Sequence, residues 1–437
     1  MKTYNYIKFL TLYSIFILLS FSSYSQEEEK NEESDKEKKE KKEKTYSDII
    51  NDKAKTDIGL FDVHKVEDKF YYEINDTLLG RDMLMVTRIV NMSKEIPINR
   101  HKMSEQVLSW QKFDNKILLK EISYSNYASD SLAIKEAVSN ANFEPIIASF
   151  KIEVENKEKN SVVIDVTSLY KNDIKSFGYP QFSRKRNKIT ALDSKLSFIE
   201  SIRSFPMNIE AKHIKTYKSS EAKNGQISMV LNNSMILLPK EPMKRRYYDE
   251  RVGWFTTSQT DYGIDNQEAE TIRYLDRWRL EIKDEDIEKF KNGELVEPKK
   301  PIVYYVDRAT PKKWRKYLKQ GIEDWQAAFE SAGFKNAIIA KDPPTNEEDP
   351  EWSPEDIRYS VVRYLASPIP NANGPHVSDP RSGEIIESDI NWYHNVMKLL
   401  RNWYFIQTSA VDPNARGIEF KDELMGELIR FVSAHEV

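Results

Sequence analysis

The chain has 437 residues, of which 39% are hydrophobic, and a formal net charge of -4 from 66 basic and 70 acidic side chains. This length allows two or three domains, and the near balance of charge argues against a nucleic-acid partner. The chain contains no cysteine, which excludes a disulfide framework, so its fold must depend on core burial or on a metal.

Residues 1–25 have the pattern of a secretory signal. Lys2 and Lys8 precede the apolar run "FLTLYSIFILLSF", which is too short for a comfortable membrane span, and small residues end the segment at Ser25. Cleavage there predicts an exported protein, in the periplasm, on the outer surface or in the medium, with no stable membrane span. An uncleaved anchor is the alternative.

Residues 26–45 predict a disordered linker, because "EEEKNEESDKEKKEKKEK" offers no apolar side chain to anchor a fold. The next part, up to residue 298, is rich in short apolar runs such as "DMLMVTRIV" and "SVVIDVTSLY", separated by turn residues. We interpret it as a small β-rich domain at 46–95 and a larger β-rich domain of unknown role at 96–298. Asp114-Asn115 predicts a hairpin turn.

Residues 299–437 have a different pattern, in which strands alternate with helices. Pro301 to Asp307 predicts a buried strand, and the following segment from Pro311 to Gly333 has apolar residues at helical spacing. "NAIIA" and "IRYSVVRYL" predict two more strands. The predicted fold class is α+β, with a β-rich N-terminal region ahead of a layered α/β region.

The last helix is expected to begin around Lys421. One face carries the apolar residues of this helix, and His435 continues that face at helical spacing; the apolar residues are Leu424, Leu428, Phe431 and Val432. By itself, a histidine followed by a glutamate near a helix end is a common structural feature. In the H-E-x-x-H arrangement, however, two histidines one turn apart bind one zinc ion, and the glutamate lies beside the metal-bound water.

The order of these elements resembles the metzincin-like zinc metallopeptidase domain of a family of large exported bacterial proteins. The likeness lies in "WRKYLKQGIEDWQAAFESAGF", "DPRSGEIIESDI" and "FVSAHEV", and upstream in "PMKRRYYDERVGWF" and "KPIVYYVDRATPKKWR". It covers the chain from about Tyr46 to its end. In that family, β-rich domains of uncharacterised role precede the catalytic domain, so residues 299–437 would be the first half of a metzincin-like α/β zinc-peptidase domain.

The resemblance implies a zinc-dependent endopeptidase with one Zn²⁺ ion and a protein or peptide substrate. It assigns His435 as a metal ligand and Glu436 as the catalytic general base. It also implies that the substrate lies along an exposed edge strand, for which the candidates are Glu384, Ile385, Ile386, Glu387, Ser388, Asp389 and Ile390. An ordinary structural strand is the alternative for this segment.

The chain departs from the family pattern at its end. The second histidine of the motif would fall two residues past Val437, followed by a glycine and a third histidine. We therefore expect an incomplete peptidase domain that is catalytically inactive by itself, with fraying from about Lys421 onward. The rival interpretation is a secreted, non-catalytic β-rich module that binds a surface protein or glycan.

The remaining candidates have weaker patterns. His376 and His394 flank the candidate edge strand but are expected on the surface, and the isolated His64, His101 and His213 receive no role. Asp379 and Asp389 lack the spacing of a calcium-binding loop. Neither the oligomeric state nor the cleavage preference follows from these patterns.

Overall fold

A computed structural model describes residues 44–92 and 101–437 of the chain. The predicted signal at 1–25 and nearly all of the predicted linker at 26–45 lie outside the described residues. Lys44–Val437 form one compact unit. The fold is α+β with a β-rich N-terminal region, as predicted. Among the helices of the described ranges, none has the length and apolar character needed to cross a membrane.

Strands dominate the chain before residue 299. They are β1 (Lys55–Asp57), β2 (Asp62–Val66), β3 (Lys69–Asn75), β4 (Asp82–Met92), β5 (His101–Phe113), β6 (Lys116–Ile122), β7 (Asn126–Tyr127), β8 (Ile146–Asn156), β9 (Ser161–Asp165), β10 (Ile189–Leu192), β11 (Phe198–Ser204), β12 (Asn208–Ser219), β13 (Gln226–Leu237), β14 (Thr256–Asp261) and β15 (Glu270–Leu275). Short helices connect them: α1 (Tyr46–Ile49), α2 (Ile134–Ala141), α3 (Thr167–Lys171), α4 (Gln181–Arg186) and α5 (Ile287–Lys291).

Most of these strands form one large antiparallel sheet in the order β1-β2-β3-β9-β8-β6-β5-β4-β13-β12-β10, with β11 also paired to β12. Strands from both predicted N-terminal domains therefore share this sheet, because β4 lies between β5 and β13. The predicted hairpin turn is confirmed: β5 and β6 pair around Asp114, which has a positive φ of 49°. A smaller sheet has the order β15-β14-β7.

The residues of β4 show that the sheet is buried on both faces at this strand. Met83 and Met85 pack into a core with Trp110, whereas Leu84 and Val86 point the other way into a second apolar cluster. Successive side chains of a strand alternate between the two faces, so a continuous apolar run is typical of a strand covered on both sides. The second cluster also contains residues from the C-terminal region, which is how that region covers the sheet.

The C-terminal region contains a mixed sheet and its helices. Its strands are β16 (Ile302–Val306), β17 (Ile338–Lys341), β18 (Ser360–Leu365), β19 (Ala372–Asn373), β20 (His376–Asp379), β21 (Glu384–Ser388) and β22 (Ile390–Tyr393). Its helices are α6 (Lys312–Glu323), α7 (Gln326–Ser331), α8 (Val396–Thr408) and α9 (Asp422–Glu436). The sheet order is β17-β16-β18-β22-β19; its pairings are parallel except for the short edge strand β19, while β20 and β21 pair separately.

The predicted helix from Pro311 to Gly333 is divided in the structure into α6 and α7, with the break at Asp324 and Trp325. The predicted strands at Pro301–Asp307, "NAIIA" and "IRYSVVRYL" correspond to β16, β17 and β18. Helix α9 begins at Asp422, as expected from the sequence.

Two glycines allow α6 and α9 to pack in very close contact. A Cβ atom on Gly426 would lie 2.1 Å from the ring of Tyr317, and one on Gly321 would lie 2.3 Å from the carbonyl oxygen of Arg430. In the same interface, the Ser433 hydroxyl donates a hydrogen bond of 2.9 Å to the carbonyl of Leu318. This packing determines the position of the end of α9, where His435 and Glu436 lie.

The predicted buried face of α9 was wrong by about one residue. Val432 is buried as predicted, but the other buried residues are different ones: Met425, Gly426, Ile429 and Ser433. Phe431 is 68% exposed, and His435 is also exposed. The physical reason is the close contact at Gly426 and Ser433, since small residues that admit the neighbouring helix define the interface more strongly than the larger apolar residues beside them.

The β-rich and C-terminal regions are joined by partly buried ion pairs. Arg88 on β4 contacts Glu387 on β21 at 3.1 Å, and Arg381 contacts Asp82 at the start of β4 at 3.0 Å. Because these side chains are largely shielded from water, the pairs constrain the relative positions of the two regions more strongly than pairs on an open surface would. The β-rich region is therefore part of the scaffold on which the C-terminal cleft is built.

Candidate functional site

A cavity of about 1010 Å³ lies at the end of α9. His435, Glu436 and Val437 form one part of its wall, and Gly374 and His376 form another. Much of the remaining lining is aromatic: Trp254, Phe255, Trp278, Phe290, Trp325, Phe329 and Phe334. The volume is typical of ligand pockets, which combine apolar walls with a few polar groups.

Glu436 is a half-buried acidic residue on the wall of this cavity. It follows Val432 and Ser433 on the buried face of α9, and its backbone carbonyl lies against Gly374. Burial raises the pKa of Glu436 above its ordinary value, although neighbouring His435 and the Gly374 backbone act in the opposite direction. A raised pKa makes a carboxylate a stronger base than an ordinary glutamate.

Gly374 is required by the close approach of two backbone segments. A Cβ atom at this position would lie 2.2 Å from the carbonyl oxygen of Glu436, so a larger residue would push the segments apart. Gly374 directly follows β19, the edge strand of the C-terminal sheet. The edge of the sheet is thereby brought into contact with Glu436.

His435 lies on the cavity side of α9, with its side chain exposed rather than in the core. Next to it, the indole N–H of Trp325 donates a hydrogen bond of 2.7 Å to the carbonyl of Ala434, which connects the end of α9 to the end of α6. An imidazole on the wall of an open cavity can reach a ligand or a metal, whereas one enclosed in a core cannot.

The described residues do not by themselves form a zinc site. A catalytic zinc ion normally has three protein ligands and an open position for water. Within 44–92 and 101–437, no group of three or more His, Cys, Asp or Glu side chains is arranged to hold a metal ion. The imidazole of His435 has the chemistry of one such ligand, and the described residues do not place two further donors around it.

His376 was predicted to be a surface residue, and this was wrong. Its Nε2 atom lies 2.9 Å from the Oδ2 atom of Asp276, and the Thr257 hydroxyl donates a hydrogen bond of 2.8 Å to the other oxygen of that carboxylate. The His376 side chain is 18% exposed and packs beside the ring of Phe255. The sequence did not reveal this pair, because its two members are 100 positions apart. His394, by contrast, is exposed as expected.

The candidate substrate strand from Glu384 to Ile390 is not one strand. Residues Glu384–Ser388 form β21, which pairs with β20, and Ile390 begins β22, which lies between β18 and β19. Asp389 separates the two strands and accepts hydrogen bonds from the backbone of Val361 and from Arg363, at 2.9 and 2.7 Å. Its side chain points into the protein, which is the reason for the break.

Most members of this candidate set have structural partners. Glu384 forms an ion pair with Arg279 at 2.5 Å, and Glu387 pairs with Arg88. Five of the seven side chains are buried: Glu384, Glu387, Ser388, Asp389 and Ile390. Ile385 and Ser388 line the large cavity. In this part of the molecule the edge of the mixed sheet is β19 rather than the predicted segment.

The comparisons with known proteins concern the β-rich part. Residues 101–283 are similar to a family described as a domain of unknown function (DUF5117), and residues 43–92 to another domain of unknown function (DUF5118). No curated protein and no solved structure matches the chain. Neither description names an activity, so the function has to be argued from the residues around the cavity.

Proposed function

We propose that the chain carries part of the active site of an exported zinc-dependent endopeptidase, in which His435 is a zinc ligand and Glu436 is the general base. The observation that supports this most is the position of Glu436. This partly buried residue lies beside His435 on the wall of a large cavity, and its backbone packs against Gly374 at the sheet edge. The sequence resemblance at "FVSAHEV" assigns the same two residues.

The role of Glu436 follows from its environment. Bound zinc would supply Lewis acidity and a water molecule of lowered pKa. The Glu436 carboxylate would accept the proton of the attacking water and then donate it to the leaving amine, which needs one group within reach of both atoms. Its raised pKa makes the carboxylate a better proton acceptor in the first transfer.

The substrate would lie against β19 rather than along Glu384–Ile390. A peptide that adds to an exposed sheet edge gains main-chain hydrogen bonds, and its side chains alternate between pockets on either side. The end of β19 leads to Gly374, which contacts Glu436, so a peptide bound there would pass the proposed base. The aromatic walls of the cavity favour a large apolar side chain next to the scissile bond.

We expect a polypeptide of these 437 residues alone to be inactive, because it offers one zinc ligand where three are normally needed. The simplest test is the coding sequence beyond Val437. The proposal requires a histidine at the second codon and a third histidine six residues later. A stop codon directly after Val437 would contradict the peptidase and favour a non-catalytic binding module.

The assignment of Glu436 can be tested in a protein that continues through those histidines. Glu436→Gln should retain zinc, because the ligand atoms are unchanged, but should lower the rate of peptide hydrolysis by about 100-fold or more. Glu427→Gln is the matched control: it makes the same change on an exposed face of the same helix. Near-normal turnover by Glu436→Gln, or hydrolysis that chelators do not inhibit, would refute the assignment.

A further inference from the structure

A histidine–carboxylate pair, His376 with Asp276, lies on the wall of the large cavity that contains Glu436. The roles proposed for His435 and Glu436 make no use of this pair. The same two residues also line a smaller polar cavity of about 390 Å³, whose walls come from both the β-rich and the C-terminal regions. The pair therefore lies where the two cavities adjoin.

Asp276 is held in one position by four hydrogen bonds. Its carboxylate accepts bonds from the Thr257 hydroxyl at 2.8 Å and from Nε2 of His376 at 2.9 Å. Its backbone N–H donates to the carbonyl of Phe255 at 3.0 Å, and its own carbonyl accepts a bond from the Trp254 indole at 2.6 Å. Because only 7% of the Asp276 side chain is exposed, this carboxylate fixes the direction in which the imidazole points.

The partner of Nε2 determines which ring nitrogen of His376 carries the proton. A carboxylate only accepts hydrogen bonds, so Nε2 is the protonated nitrogen of the neutral imidazole. Nδ1 then keeps its lone pair and can accept a hydrogen bond. Within the part of the chain that the structure describes, Nδ1 has no partner and is not enclosed. This imidazole therefore presents a neutral hydrogen-bond acceptor to a ligand.

His376 lies close to Glu436 because a short segment joins it to the sheet edge. Gly374 follows the edge strand β19, and a Cβ atom on it would lie 2.2 Å from the carbonyl oxygen of Glu436. Two residues of extended chain span about 7 Å, which limits the distance from this contact to the backbone of His376. The ring of Phe255 packs beside the imidazole, with ring centroids 5.4 Å apart, and both residues line the large cavity. A peptide that leaves β19 and passes Glu436 would also pass His376.

Two other roles for the pair do not fit the described residues. A metal ligand would need further donors, and no group of three or more His, Cys, Asp or Glu side chains within 44–92 and 101–437 is arranged to hold a metal ion. A general base for a nucleophile would need a hydroxyl at Nδ1, and none of the described hydroxyl groups donates a hydrogen bond to it. Much of the large cavity is aromatic, so it offers few acceptors to the main-chain N–H groups of a peptide. Nδ1 of His376 supplies one.

We propose that His376 binds the substrate: its Nδ1 atom accepts a hydrogen bond from a main-chain N–H of a peptide in the large cavity, and Asp276 positions the imidazole for this bond. The description of the peptide as a substrate rests on the proposed function. The contact itself needs neither zinc nor turnover, because it depends only on residues of this chain. His376 then determines how the peptide backbone lies relative to Glu436.

The test measures peptide binding to the 437-residue chain without zinc. The probe is the blocked peptide acetyl-Ala-Ala-Phe-Ala-Ala-amide, and tryptophan fluorescence reports its binding because three tryptophans line the cavity. His376→Phe keeps an aromatic ring but removes Nδ1, so we expect the dissociation constant to rise about 3- to 10-fold, as for the loss of one hydrogen bond. The matched control is His394→Phe, which makes the same change at an exposed histidine outside the cavity lining and should bind like the parent.

Asp276→Asn provides a second variant if His376→Phe does not fold. An asparagine amide can donate to Nε2, which moves the ring proton to Nδ1 and removes the acceptor, so binding should weaken by a similar factor. Ester analogues of the probe, each lacking one main-chain N–H, identify the contact directly. With the parent protein, one analogue should bind about 3- to 10-fold more weakly than the others, and this difference should disappear with His376→Phe.

The inference is overturned if His376→Phe binds the probe like the parent, if both proteins rank the ester analogues alike, or if the parent does not bind the probe. Parent-like affinity of Asp276→Asn would overturn the positioning role of the carboxylate. If the contact is found but the longer, zinc-bearing protein never cleaves the probe, the peptidase fails and the peptide contact stands. If that longer protein cleaves the probe and His376→Phe leaves KM unchanged, the peptidase stands and the inference about His376 fails.

Discussion

The contact between α6 and α9 leads to a quantitative prediction for Gly426→Ala. The added methyl group would lie 2.1 Å from carbon atoms of the Tyr317 ring, where ordinary contact needs about 3.5 to 4 Å. The ring is buried beside Leu318 and Ile322, so it cannot simply turn away. The two helices would have to separate by more than an ångström at this point.

The magnitude follows from two opposing effects. Alanine in a helix interior is favoured over glycine by about 1 kcal/mol. Overpacking of a well-packed interface costs about 1 to 3 kcal/mol, and occasionally more. Because the clash involves an aromatic ring within a core, we expect overpacking to dominate, with the free energy of unfolding lowered by about 1 to 2 kcal/mol.

The assay is urea denaturation followed by tryptophan fluorescence, since Trp314 on α6 is part of the same core. Amide exchange across α9 adds a local readout, and should become faster in the variant. The matched control is Gly253→Ala: nothing lies within 4 Å of a Cβ atom there, and its backbone is not in the left-handed region. That control should be neutral or slightly stabilising, because it restricts only the unfolded chain.

The reasoning fails if Gly426→Ala is as stable as the parent or more stable. A second check removes the ring instead of the glycine. In the Tyr317→Leu background, Gly426→Ala should cost clearly less than in the parent, because residues in direct contact are energetically coupled. Additive effects would mean that the methyl group and the ring do not meet.

Two further predictions concern pH. Glu73 is buried, which opposes its ionisation, but hydrogen bonds from His64, Ser161 and other groups lower its pKa to about 2. The free energy of unfolding should therefore fall by about 3 kcal/mol as the pH falls from about 4.5 to about 2. Urea denaturation midpoints measured over the same pH range should not show this loss in Glu73→Gln. Burial lowers the pKa of Lys215 to about 8. The free energy of unfolding should therefore rise by about 3 kcal/mol between about pH 8 and 10.5, because the unfolded chain binds this proton more tightly. A Lys215→Met protein that shows the same rise would contradict this prediction.

Local features of the sequence were sufficient for several elements of the C-terminal region. The strand at Pro301–Asp307, the start of the last helix near Lys421 and the hairpin at Asp114 were all predicted. Each depends on neighbouring residues: apolar spacing, a helix-starting position or a turn dipeptide. The α+β class follows from the same signals, because it needs only the order of the elements.

The candidate site was predictable only in its two adjacent residues. His435 and Glu436 could be selected because the motif is local, and the structure brings both to the wall of one cavity. Glu384–Ile390 looked like a continuous strand, but the buried bond between Asp389 and Arg363 interrupts it. The strand that does form the sheet edge, Ala372–Asn373, is too short to produce a periodic signal.

Tertiary structure decided everything that joins distant parts of the chain. The pair of His376 with Asp276 and the close approach of Gly374 to Glu436 depend on which elements meet, and such contacts leave no trace in a local pattern. The orientation of α9 has the same origin: its periodicity is compatible with neighbouring faces, and the face that is buried depends on how closely Tyr317 can approach Gly426. Periodicity alone determines that a helix is amphipathic, whereas packing against a particular partner determines which of its residues face the cavity.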